Sequence, residues 1–127
     1  MQVGWVFLGG GIGSVLRFGV GRAAIALAGP NVPLATIIVN FVGCTAMGAL
    51  AAWLAWRDTG IDDSMKLFLA TGLLGGFTTF SAFALDTVGL WQRGETLAAT
   101  AYAAGSVLLS LAGFIAGTAI VRTLVAA

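Results

Sequence analysis

The chain has 127 residues, 59% hydrophobic and 9% charged, with a net charge of +1, a single cysteine and no histidine. A soluble domain carries about 25% charged residues, so this composition is that of an integral membrane protein with little left over for a soluble domain. It excludes a Cys/His metal cluster and an intrachain disulfide, and a charge so near zero offers no field to draw nucleic acid.

A span takes about 20 apolar residues, so roughly four fit. Residues 1–127 therefore read as a single all-α transmembrane domain of four helices. The first span covers Val3 to Ala28 and stops at the turn cluster Gly29-Pro30-Asn31-Val32-Pro33. Met1-Gln2-Val3 lacks the basic stretch of a signal peptide, and Arg17 interrupts the first apolar run, which argues against a cleaved leader. Gly9-Gly10-Gly11-Ile12-Gly13 looks superficially like a nucleotide-binding loop, but no strand precedes it and no acidic residue follows. Its Gly9-x-x-x-Gly13 spacing, like Gly43-x-x-x-Met47-Gly48 in the second span, lets helices approach closely. Arg17 is the one charge well inside the first run. It either serves function, as intramembrane charges do by default, or snorkels to the interface.

The second span covers Leu34 to Trp56. Thr36 and Asn40 lie four apart in it and so share a helix face among Ile, Val and Phe. They either hold helices together by hydrogen bonds or line a permeation path. Cys44, in the same span, reads as a small buried hydrophobe. The most polar stretch of the chain follows, Arg57-Asp58-Thr59-Gly60-Ile61-Asp62-Asp63-Ser64, in which Asp62 and Ser64 are candidate N-caps for the next helix.

The third span runs from Met65 to Trp91 and is the most informative part of the sequence. It contains Leu73-Leu74-Gly75-Gly76-Phe77-Thr78-Thr79-Phe80-Ser81-Ala82-Phe83. Paired glycines and paired threonines favour unwinding, expected here near Gly75-Gly76, with the break falling between Gly75 and Thr79. Unwound backbone at membrane depth is tolerated only where it is buried in protein or lines a watery cavity, so this break points to an ion or solute site near the bilayer midplane. Phe77, Phe80 and Phe83 recur every three residues beside it, either as core or as rings whose positive edges face an anion. Asp86, three residues on, is placed to pair with an arginine, to cap a polar track, or to approach the far interface.

Gln92-Arg93-Gly94-Glu95 forms the last loop, and the fourth span covers Thr96 to Val125. Tyr102, Ser106 and Ser110 make a stripe of three hydroxyls along it, for packing or for conduction. Trp5, Trp53, Trp56 and Trp91 fall near span ends, where interfacial aromatics collect in a lipid bilayer.

Four short helices bury little alone, so an oligomer is expected. Arg57, Lys66 and Arg122 fall on the side of the amino terminus, and Arg22 and Arg93, with Arg17 deeper, on the other. The positive-inside rule has little to act on, so the chain can insert both ways and two opposed copies can pair as a split inverted repeat. No enzyme is expected: without histidine, the carboxylates and hydroxyls show no base–nucleophile logic.

Taken together, Gly9 to Phe18, Thr36 to Cys44, Gly72 to Phe83 and the Tyr102–Ser110 stripe resemble the small bacterial fluoride channels, the Fluc or CrcB family, over nearly the whole chain. The resemblance implies a dual-topology antiparallel homodimer in the inner (cytoplasmic) membrane that exports fluoride passively and protects the cell from its toxicity. It implies a pore asparagine at Asn40, pore phenylalanines at Phe80 and Phe83, and hydroxyl positions at Tyr102, Ser106 and Ser110. It also implies a structural sodium ion at the dimer interface, held by the backbone carbonyls of Gly75 and Thr78. The chain departs from the family where it carries Ala82 and Ala84 for the usual Thr and Ser, and Asp86 for a glutamate. Two rival readings are a small four-span dual-topology multidrug exporter and a non-transporting membrane assembly subunit. The exporter needs an acidic residue in its first helix, and none precedes Asp58. The assembly subunit would not need Thr36, Asn40 and a broken helix at similar depth.

Overall fold

The computed structural model describes residues 1–56 and 60–127. The expectations placed on Arg57, Asp58 and Thr59, including Arg57's part in the charge balance, lie outside the described residues. Helix α1 spans Gln2–Ala28 and α2 spans Leu34–Trp56. The third span, Asp63–Gln92, is a composite: α3 (Asp63–Lys66), a π-helical run (Leu67–Leu74), α4 (Gly75–Phe77) and α5 (Phe80–Gln92). Helix α6 spans Thr96–Ala126. Four helices among the described residues are long and apolar enough to cross a membrane, with boundaries within two residues of those read from sequence.

Local chemistry sets the ends. Gly29, at φ 82°, terminates α1 in a conformation that favours glycine. Asp62 caps α3, its Oδ1 accepting from the Met65 N–H at 2.9 Å. Ser64 lies inside α3 and is not a cap. The α5–α6 turn is a Schellman motif: Gly94, at φ 80°, donates to the Trp91 carbonyl at 2.9 Å and Glu95 donates to the Leu90 carbonyl at 3.0 Å. That turn folds α5 back on α6 around Leu90, Ala99 and Tyr102, with Ile37 and Phe83 packed against them.

Large apolar side chains face outward, as at Phe7, Leu27 and Leu97. Lipid supplies no hydrophobic drive between helices, so close packing must. Glycines provide it. A Cβ on Gly9 would strike the Phe68 carbonyl and the Leu73 nitrogen, and one on Gly13 the Leu73 carbonyl and the Phe77 nitrogen. Gly72 and Gly76 answer from the third span, against Gly9 and Gly10. On the other side, a Cβ on Gly48 or Gly117 would strike the backbone of Phe114 or Thr45, so α2 and α6 also meet backbone to backbone.

The helix break sits in the predicted stretch but not on its glycines. Gly75 is helical, at φ −63° and ψ −38°. Thr78 (ψ 162°) and Thr79 (φ −154°, ψ 122°) are the extended residues. Gly76 is needed for contact with α1, and branched threonines suit extended backbone. Phe77 therefore precedes the break and Phe80 follows it, so the three phenylalanines do not form one stripe. Phe77 lies by Gly13 and Gly43.

Candidate functional site

One side chain holds the break in place. Asn40, on α2, accepts the Thr79 N–H at Oδ1 (2.8 Å) and donates from Nδ2 to the Thr79 carbonyl (2.9 Å). A neutral amide thus satisfies both polar groups of an extended residue that no neighbouring helix turn could serve. Thr79 is itself buried, and its Oγ1 accepts the Ala82 N–H at 3.1 Å, capping α5. One Nδ2 hydrogen of Asn40 remains beyond this pairing.

These bonds redirect two donors. In a continuous α-helix the Thr79 N–H would meet the Gly75 carbonyl, and the Ala82 N–H the Thr78 carbonyl. Asn40 takes the first and the Thr79 hydroxyl takes the second. The Gly75 and Thr78 carbonyls are left as hard oxygen donors, the type that suits a hard cation. Among the described residues no group of His, Cys, Asp and Glu is arranged to hold a metal.

A groove of about 260 Å³ opens beside the break, lined by Asn40, Cys44, Phe80, Phe83, Ser106 and Ser110 among others. Five of the seven sequence-predicted pore residues meet there. Phe80 and Phe83 lie 5.2 Å apart, tilted by 40°. Ser106 makes no hydrogen bond among the described residues, and no buried polar side-chain atom among them lacks a partner, so its hydroxyl opens onto the groove.

The other two, Thr36 and Tyr102, lie beyond the phenylalanines and converge on Asp86. Thr36 Oγ1 donates to Asp86 Oδ2 at 2.6 Å and Tyr102 Oη donates to the same oxygen at 3.0 Å. The Tyr102 ring stacks on Phe83 with centroids 5.7 Å apart. Of the three readings of Asp86, pairing with an arginine finds no ion pair among the described residues, and its carboxylate instead accepts from two hydroxyls. It also lines a second groove, of about 240 Å³, with Asn31 and Arg93. The two grooves are thus linked through Phe83, Tyr102 and Asp86. Sequence spacing had put Thr36 and Asn40 on one face, and both do bond to the third span. It did not show that their partners would be a carboxylate and a bare peptide.

Arg17 lines a separate groove on the opposite side of the break, with Ser14, Thr36 and Thr79. It is half-buried and forms no ion pair among the described residues. Cys44 faces the main groove rather than a core.

Residues 4–118 match the family described as "CrcB-like protein, Camphor Resistance (CrcB)". Among similar proteins is the "Fluoride-specific ion channel FluC" of Paracoccus denitrificans, 54% identical over 95% of this chain and 94% of its own length. The protein of the same name from Novosphingobium aromaticivorans is 52% identical over 93% of this chain and 94% of its own. That of Rhizobium etli is 49% identical over 98% of each.

Proposed function

The chain belongs to the CrcB-like family, and we propose that it is a fluoride-specific ion channel passing fluoride passively out through the cytoplasmic membrane. It is a multi-pass membrane protein, not an enzyme, and in this proposal residues 1–127 form a single four-span unit. The observation that carries the reading is the groove where Asn40, Phe80, Phe83, Ser106 and Ser110 meet beside a helix break.

The chemistry suits a small, strongly hydrated anion. Serine hydroxyls and the spare Asn40 amide hydrogen replace part of its water shell, and phenyl ring edges add weak positive potential. All are neutral, so binding stays loose enough for release. Beyond Phe83 the path continues past Tyr102 and Thr36. No carboxylate lies in α1, which removes the proton-coupling group of an exporter.

The groove is open along one side, and Phe80 is 77% exposed. A second, oppositely inserted copy would close it, giving an antiparallel homodimer. We place a structural sodium ion at that interface, on the Gly75 and Thr78 carbonyls, whose helical donors are engaged elsewhere. When bound, the ion would supply a fixed positive charge fastening the break. Arg17, on the far side of the break, would add positive potential there.

Fluoride efflux from liposomes holding the purified protein, with chloride as the control anion, tests the reading. Rapid fluoride loss with chloride retained is expected. No fluoride loss, or equal loss of both anions, would overturn it.

A further inference from the structure

Asp86 sets a problem for anion conduction. Its carboxylate ends the polar track and lines the second groove, where a negative charge repels an approaching anion. The same groove holds Arg93, seven residues later and so on the same face of α5, two turns on. Gly89 and Leu90 lie between them on that face, and a Cβ on Gly89 would lie 3.6 Å from Arg93 Nη1. The guanidinium therefore folds back along the helix, over the glycine and toward Asp86, instead of extending away from the turn.

The turn fixes it there. Arg93 is the residue at which α5 ends, and the Schellman motif carries the chain round so that Glu95 Oε1 accepts from Arg93 Nε at 2.8 Å. Only Nε is engaged; among the described residues the two Nη groups make no hydrogen bond and are free to meet an anion. Arg93 is half exposed, its side chain at 52%, so water and ions reach it. Asn31 on the α1–α2 loop adds a neutral amide to the same opening.

We propose that Arg93, folded over Gly89 and held by Glu95, is the anion-attracting group at the mouth of the permeation route, offsetting the charge of Asp86. This rests on the channel reading above. Four donors on the Nη atoms meet the ion in water, concentrate it at the mouth and hand it to the Tyr102 end of the track. Glu95 plays the opposing part: it orients the guanidinium and subtracts from its field.

The test is fluoride flux through purified protein in neutral-lipid vesicles, as a function of fluoride concentration and ionic strength. Arg93→Gln should raise the half-saturating fluoride concentration about threefold at low salt, with little change at saturation. The difference should vanish near 1 M salt, where the screening length falls to about 3 Å. Arg93→Lys should retain most of the effect, and Glu95→Gln should shift half-saturation the other way. A conducting parent whose Arg93→Gln and Glu95→Gln variants behave like it at every salt concentration overturns the mouth assignment alone. A parent without fluoride flux overturns the channel reading, and this one with it. A salt-independent loss at saturation in Arg93→Gln that lysine does not restore would make Arg93 a structural residue and also overturn the assignment.

Discussion

The two halves of the third span are held by opposite means. Its first half, the π-helical run and α4, lies against α1 through Gly9, Gly10, Gly13, Gly72 and Gly76, and among the described residues no side-chain hydrogen bond crosses that interface. Its second half, α5, meets α2 and α6 through Asn40, Thr36 and Tyr102, which bond to Thr79 and Asp86. Lipid gives no hydrophobic gain for joining helices, so a bundle must use either close backbone contact or hydrogen bonds. The third span uses the first against α1 and the second where a path is proposed. A glycine contact leaves no space, whereas polar side chains of unequal length leave a groove and furnish its lining.

Breaking the glycine side should have the largest effect. Gly13→Val would drive a branched side chain into the backbone of Leu73 and Phe77, at a cost above about 3 kcal/mol. Folded protein should be lost on size-exclusion chromatography in detergent. Gly11→Val, where nothing lies within 4 Å, should elute like the parent. Normal elution of Gly13→Val would mean that α1 does not sit where described.

On the polar side, Asn40→Asp keeps an acceptor for the Thr79 N–H but removes the donor to its carbonyl, a cost of about 1–3 kcal/mol. It also sets a charge at the break. The protein should assemble with a lower unfolding temperature, and fluoride flux should fall at least tenfold. Unchanged flux from the assembled variant would leave Asn40 as helix glue alone.

Phe83→Ile keeps bulk but removes the ring quadrupole and the stack on Tyr102, at under about 1.5 kcal/mol. Stability should hold while flux drops by about an order of magnitude. If the variant conducts like its parent, the rings only pack, and the route rests on Asn40, Ser106 and Ser110.

Tyr102→Phe is the finest probe. It preserves the stack and removes one of two hydrogen bonds to Asp86, worth about 0.6 kcal/mol inside a membrane. Flux should fall by less than about threefold, because Thr36 still holds the carboxylate. A collapse of flux would make the Tyr102 hydroxyl a direct partner of the ion.

Composition and periodicity determined a good deal by themselves. Four spans, their ends, the Asp62 cap, the presence of a break and the helix-packing role of Gly9, Gly13, Gly43 and Gly48 follow from hydropathy, turn residues and small-residue spacing, all of which act locally. The gathering of Asn40, Phe80, Phe83, Ser106 and Ser110 was legible only through family resemblance, since they come from three helices. Tertiary structure decided the rest. It set the break, expected between Gly75 and Thr79, at Thr78-Thr79 rather than at the glycines, because α1 needs Gly76 in helical register and Asn40 serves an extended peptide. It separated Phe77 from the other rings, and it joined Thr36 and Tyr102 on Asp86. Glycine tells a sequence only that a backbone is free to bend or to be approached; which of the two happens depends on what lies across from it.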